Sequence, residues 1–250
     1  MISVIICSRD EAKSTAVKSM YAAAMGDAAW EMIGIHDARS LAEGYNRAVQ
    51  RSRGQMVVFS HDDVEVISPD LPQRIAAHLA QFDLIGVAGT DYLVDPRWQQ
   101  AGPPHIFGQV AHPWHDGKII VNIFGAHRPV VENIQALDGL FMAARRSVVS
   151  RFAFDAINFD GFHCYDVDFS MQVSRAGLRV GVVNDINLVH DSVGNYDAVW
   201  RTFGERFARK WKNRMMPPSG AHAYQVAVIQ TDSRAQALEI MNPPYWRDEP

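Results

Sequence analysis

Short apolar runs alternate with stretches of helical spacing over residues 1–90. Ile2 to Cys7 is unbroken and β-branched and stops at the polar Ser8-Arg9-Asp10, the pattern of a buried strand. Glu11 to Met25 is Ala-rich, with Ala16, Met20 and Ala23 at helical spacing and Gly26 as a stop. Trp30 to Ile35 predicts a second strand, ending at His36-Asp37. Ser40-Leu-Ala-Glu43 has the spacing of a capping box, and Leu41, Tyr45, Ala48 and Val49 put one apolar stripe on the helix it opens. Met56 to Ser60 is a third buried strand. Ser68-Pro69 has the form of an N-cap with proline at the first helical position, and Leu71, Ile75, Leu79 and Phe82 line one face of the helix that follows. Leu84 to Ala88 predicts a further strand. Strand and helix in strict alternation argue for an α/β domain with a parallel sheet, right-handed crossovers and helices on both faces.

The alternation stops after Thr90. Asp91 to Val131 carries Pro96, Pro103, Pro104, Pro113 and Pro129 and shows no helical period, so an insertion or a set of active-site loops is expected, with a strand over Lys118 to Phe124 at a sheet edge. His112-Pro-Trp-His115 is not a regular helical turn, because the proline interrupts it, and is read as a packed or surface histidine pair. The apolar run after Asp138-Gly139 is a strand or its approach. Phe152 to Phe162 is aromatic and irregular, either one wall of a binding site or ordinary core. Asp166 and Asp168 fall in the first turn of a helix closed by Gly177, and Leu178 to Val183 and Ile186 to Val189 are strands, the second reaching His190. Val199, Phe203, Phe207 and Trp211 recur every four residues on a basic helix that either packs this stripe on the domain or rests on an anionic membrane. Pro217-Pro218 ends that helix, and Ala221 to Pro250 has the look of a loose extension or a homo-oligomer contact.

Composition narrows the classes. With 250 residues, 48% hydrophobic and 21% charged, the chain is ordinary globular material, read as residues 1–195 followed by a helix and extension over 196–250. Within the first unit the expected parts are 1–90, inserted loops over 91–131, and 132–195. A net charge of -4 disfavours a nucleic-acid partner. Cys7 and Cys164 are too few for a disulfide framework, which points to a reducing, cytoplasmic setting. No run approaches the roughly 18 to 20 apolar residues a membrane span needs, though peripheral contact with the inner membrane face stays open.

Candidate chemistry gathers where strands end. Asp62 and Asp63 follow Met56–Ser60 directly, and in an open α/β sheet the ligand crevice lies beyond the carboxyl ends of the strands. A carboxylate pair there suits Mg(II) or Mn(II) carrying a substrate's phosphates; a solvated acidic turn is the other reading. Of Asp166 and Asp168, one is explained by the helix N-terminus and one is left for chemistry.

In order and spacing, Ser3-Val-Ile-Ile-Cys7, Ser40-Leu-Ala-Glu-Gly-Tyr-Asn46, Val57-Val-Phe-Ser-His-Asp-Asp-Val64, Asp138-Gly139, Tyr165-Asp-Val-Asp168 and His190-x-Ser-x-Gly194 resemble a family 2-type glycosyltransferase, in a small bacterial branch with His-Asp-Asp in place of Asp-x-Asp. The resemblance implies a GT-A fold: a mostly parallel, Rossmann-like central sheet flanked by helices, with an inserted loop region and a C-terminal helical extension. It implies transfer, with inversion, of a sugar from a UDP-, GDP- or dTDP-linked donor to a glycan, lipid-linked or protein hydroxyl, as in polysaccharide biosynthesis.

By position, the resemblance makes Asp63 and His190 ligands of a divalent cation, Mn(II) rather than Mg(II), and Asp166 the general base. It puts Ser8, Asp10, Asp37, Asn46, His61, Asp62 and Asp138 on the donor side. Two departures stand out. His61 replaces the usual first Asp, and Tyr165 replaces the Glu that usually precedes the base. They leave room for a non-catalytic sugar-binding module on the same fold. A metal-dependent nucleotidyltransferase is a further alternative, disfavoured because no Gly-rich, Lys-containing phosphate loop is present.

Overall fold

The computed structural model describes residues 1–192, 194, 196–218 and 226–247. The strands are β1 Ile2–Cys7, β2 Trp30–Ile35, β3 Met56–Ser60, β4 Val64–Val66, β5 Leu84–Gly86, β6 Ala88–Thr90, β7 Ile106–Pro113, β8 Ile119–Phe124, β9 Val130–Val131, β10 Ala136–Leu137, β11 Phe141–Arg145, β12 Val180–Val183, β13 Leu188–His190 and β14 Val226–Thr231. The helices are α1 Glu11–Met25, α2 Leu41–Arg51, α3 Leu71–Gln81, α4 Arg146–Arg151, α5 Tyr165–Arg175, α6 Ala198–Trp211 and α7 Arg234–Met241.

Two sheets share these strands. The first runs β2-β1-β3-β11-β5-β12-β9, with β2, β1, β3, β5 and β12 pointing one way and β11 and β9 the other. It is the mostly parallel, helix-flanked sheet that the pattern predicts. The second runs β10-β6-β7-β13-β4, with β8 on β7 and β14 on β8, and is mainly antiparallel.

Among the described residues the chain passes between the sheets seven times, and the three shortest crossings are β3 to β4, β5 to β6 and β10 to β11. Of these three, the first is His61-Asp62-Asp63 and the third is Asp138-Gly139-Leu140. The second turns at Val87, so the single strand expected over Leu84 to Ala88 is two. Gly108 allows the close approach there: its φ is +121°, and a Cβ on it would lie 2.4 Å from the Val87 carbonyl oxygen.

Helix starts follow local chemistry. Asp10 caps α1 by accepting from Lys13 N, and Ser40 caps α2 by accepting from Glu43 N at 3.1 Å, while Glu43 accepts in return from Arg39 N. The start read at Ser68-Pro69 is corrected. α3 begins at Leu71 after Asp70 in the left-handed region, and the Ser68 hydroxyl instead accepts from Asn187 N.

The region 91–131 is more ordered than its prolines suggest. β7 is buried along most of its length, and β8 lies between β7 and β14 rather than at an edge. The tail is likewise not a loose extension where described. β14 pairs β8 over six residue pairs, and Ala237 and Met241 of α7 close a small second core with Ala111, Ile119, Val121, Ile123 and Val189. Residues 219–225 and 248–250 of that expected extension lie outside the described residues.

α6 turns its aromatic stripe inward. Phe203 and Phe207 are buried, each burial contributing about 1.5–3 kcal/mol, whereas Val199 is exposed and drops out of the stripe. Two of the basic residues are held by carboxylates of the domain: Arg206 by Asp160, and Lys210 by Asp155 at 2.7 Å and Asp168 at 2.6 Å. Among the described residues, no helix is long and apolar enough to cross a membrane.

Candidate active site and metal centre

β3 delivers His61 to one side of a cleft, and β13 delivers His190 to the other. Register brings them together. His190 pairs with Val64 across β13 and β4, next to Asp63, and Asp191 N donates to the Asp63 carbonyl at 2.9 Å. His190 Nε2 then lies 3.2 Å from Asp63 Oδ1, His61 Nδ1 lies 3.9 Å from the same oxygen, and the two nitrogens are 3.4 Å apart. Three atoms with these separations lie on a circle of radius about 2 Å, the length of a metal–nitrogen or metal–oxygen bond. Two imidazoles and one carboxylate therefore fit a divalent cation.

Electrostatics agree with that donor set. Burial and the neighbouring His190 push the His61 imidazole below its ordinary pKa, which keeps it neutral. Burial alone would raise Asp63, but hydrogen bonds from His190 and Ser192 hold it well below the usual carboxylate range. Ser192 Oγ sits 3.1 Å from His190 Nε2. Behind them, His112 donates from Nδ1 to the His190 carbonyl at 2.9 Å, and burial lowers its pKa as well.

A cavity of about 550 Å³ opens beside this group. Its lining includes His61, His190, Asp138, Tyr165 and Asp166, with Trp98, Phe162, Tyr196 and Trp200 as aromatic wall. Asp166 enters from the first turn of α5. Gly139 N donates to its Oδ2 at 2.8 Å, and Asp138 beside it is oriented by Trp98 Nε1 at 3.0 Å and Leu140 N at 3.1 Å. Burial and the Asp138 carboxylate raise the Asp166 pKa to about 7, against the pull of nearby backbone N–H groups.

Asp168 has the opposite fate. It is fully buried, accepts from Trp211 Nε1 and Gln172 Nε2 and pairs with Lys210, so it ties α5 to α6. Of the two, Asp166 is the carboxylate that lines the cavity.

The donor-side expectations divide. His61 and Asp138 line the cavity; Asp62 and Asp63 line a neighbouring one of about 790 Å³. Ser8, Asp10 and Asp37 lie at the carboxyl ends of β1 and β2, with partners of their own: the Ser8 hydroxyl donates to the Asp10 carbonyl, Asp10 caps α1, and Asp37 pairs with Arg47 at 2.6 Å. Asn46 has both ends of its amide engaged by the Phe154 backbone, donating at 2.8 Å and accepting at 2.9 Å.

His61, expected on the donor side, completes the triangle with Asp63 and His190. His112, Trp98 and Trp200 were not singled out in the sequence as lining a site. The strand-end histidine of His112-Pro-Trp-His115 was a usable signal; the tryptophans gave none.

Residues 3–216 match the description "Glycosyltransferase like family". The chain belongs to this family. "ATP synthase subunits region ORF 6" of Fuscovulum blasticum is 24% identical over 176 residues, covering 67% of this chain and 64% of that protein. "Uncharacterized protein y4gI" of Sinorhizobium fredii (strain NBRC 101917 / NGR234) is 44% identical over 71 residues, 28% of this chain and 8% of that protein. The chain thus spans under two thirds of the length of either curated relative. Among solved structures, a mannosyltransferase from Pyrobaculum calidifontis in complex with GDP-Man and Mn2+ matches with a TM-score of 0.49 at 15% identity, over 87% of this chain and 66% of that one.

Proposed function

We propose that this member of the glycosyltransferase-like family is a metal-dependent, inverting enzyme that moves a sugar from a nucleotide-sugar donor to an acceptor hydroxyl. The observation that carries the proposal is the His61-Asp63-His190 triangle beside a buried carboxylate, Asp166, in one cavity. A bound cation would neutralise the diphosphate leaving group as the glycosidic bond breaks. Imidazole nitrogens in the donor set favour Mn(II) over Mg(II).

This chain's own residues supply the rest. Asp10, Asp37 and Asp62 are acceptors for the N–H and hydroxyl groups of a UDP-, GDP- or dTDP-linked nucleoside. Asp166 takes the proton of the acceptor hydroxyl while that oxygen bonds to the anomeric carbon from the face opposite the diphosphate, whose oxygen leaves with the bonding electrons. Trp98, Phe162, Tyr196 and Trp200 offer aromatic surface to the acceptor glycan or a lipid-linked or protein acceptor.

The test needs no acceptor. Purified protein is titrated calorimetrically with UDP, GDP, dTDP and CDP, each with Mn(II) and with EDTA, for wild type and Asp63→Asn. One nucleotide should bind with Mn(II) and lose its affinity in EDTA and in Asp63→Asn. Equal binding in EDTA, or in Asp63→Asn, overturns the metal-dependent reading, and binding of none in any condition overturns the donor class.

A further inference from the structure

The two departures noted in the sequence are in contact with each other. His61 Nε2 and Tyr165 Oη lie 2.9 Å apart, although the residues are 104 positions apart in the chain. A neutral imidazole carries one N–H and one lone pair, and a phenol can either donate or accept, so the contact alone permits both tautomers. The far side of the ring decides between them. His61 Nδ1 is one corner of the triangle with Asp63 Oδ1 and His190 Nε2, and only a lone pair there can bind a cation. The proton must then sit on Nε2, where Tyr165 Oη is the acceptor in reach.

We propose that Tyr165 is a positioning residue: by accepting the Nε2 proton of His61, it holds His61 Nδ1 as a cation ligand. The assignment rests on the metal reading above. α5 then carries in consecutive residues the group that orients a ligand, Tyr165, and the base, Asp166.

The seat for the phenol is built into the fold. Tyr165 is 2% exposed and meets the Tyr45 ring edge-on at 5.7 Å between centroids. Opposite its hydroxyl stands Gly139, where a Cβ would lie 2.3 Å from Tyr165 Oη and 2.8 Å from Asp166 Cβ. Any side chain there would push the phenol off His61. The Asp138-Gly139 turn thus keeps both Tyr165 and Asp166 in place: one by leaving space, the other by the Gly139 N–H bond.

Outer partners of ligating histidines typically change metal affinity 10–100-fold. The experiment titrates metal-free protein with Mn(II) alone, reading free Mn(II) by electron paramagnetic resonance, for wild type, Tyr165→Phe, His61→Asp and the double variant. Tyr165→Phe keeps the ring and its packing, and should weaken Mn(II) binding about 10–100-fold. In the His61→Asp background, where a carboxylate needs no proton held behind it, Tyr165→Phe should cost nothing further.

Undiminished Mn(II) affinity in Tyr165→Phe, or the same loss in both backgrounds, overturns the assignment while leaving the metal reading intact. Failure of wild type itself to bind Mn(II) removes the metal reading and the assignment with it.

Discussion

A carboxylate that is to take a proton near neutrality must hold protons more tightly than a free one, and burial beside Asp138 does this to Asp166, at about 7. A general base works in its ionised form, so the proposed transfer should rise with pH through that value and be lost below it. Asp138→Asn removes the neighbouring negative charge but keeps an oxygen for Leu140 N, so the acidic limb of the kcat/KM profile should move to lower pH. Asp166→Asn should remove the limb along with most of the activity while sparing nucleotide binding, because a base acts in the transition state. An unmoved limb in Asp138→Asn would detach Asp138 from the base. The stability sign follows from the same shift. The folded carboxyl binds its proton more tightly than the unfolded one, so folding stability falls as pH rises from the ordinary carboxylate range up to about 7, and Asp138→Asn should relieve part of that fall.

Among the elements, α5 and α6 are joined by a buried charge. Lys210 of α6 pairs with Asp168 of α5, whose side chain has no exposure, and removing one partner of such a pair leaves an uncompensated charge inside. Lys210→Met, which keeps the apolar stem, should cost about 3 kcal/mol and lower Tm by about 6–12 °C in a scanning-calorimetry comparison with wild type. A change within a degree would mean that Trp211 and Gln172 suffice to satisfy Asp168. Elements were also where the sequence was most and least legible. β1, β2, β3, α1 and α2 announce themselves because each is a local signal: an unbroken β-branched run, an Ala-rich stretch with a Gly stop, a capping box. β7 does not, because Gly108, Gln109, His112 and Pro113 make poor strand material by themselves, and its pairing with β6, β8 and β13 gives it strand form. Val226–Thr231 is β-branched enough to have been read as a strand; the prolines around it obscured that signal. In the site, Asp62 and Asp63 were legible as the end of a strand. Asp63 and His190 as joint ligands came only from the resemblance, because their meeting depends on β13 pairing with β4 in a register that no local pattern encodes, and His61 as the third corner was not legible. Tyr165 was visible only as a departure from the resembled pattern; its purpose needed Gly139 and His61 beside it.

At the scale of the molecule, the site sits where the chain passes between its two sheets. His61 leaves β3 of the first sheet, Asp63 precedes β4 and His190 ends β13 of the second, and Asp138 lies between β10 and β11. A cation held by His61, Asp63 and His190 would link the sheets, so binding should resist global unfolding rather than merely quiet a loop. A ligand that binds only the folded state stabilises by RT ln(1 + [L]/Kd), about 2.7 kcal/mol at a hundredfold excess over Kd, which for a chain of this size is a Tm rise of about 5–11 °C. The nucleotide should add to this only when the cation is present, because its diphosphate would bind through the metal. Thermal unfolding is therefore followed with Mn(II) alone, nucleoside diphosphate alone, and both. A rise with Mn(II), none with nucleotide in EDTA, and a larger rise with both is the expected order. Equal rises with nucleotide in Mn(II) and in EDTA would mean that the nucleotide is held by Asp10, Asp37 and Asp62 alone, with the triangle playing no part in seating the donor.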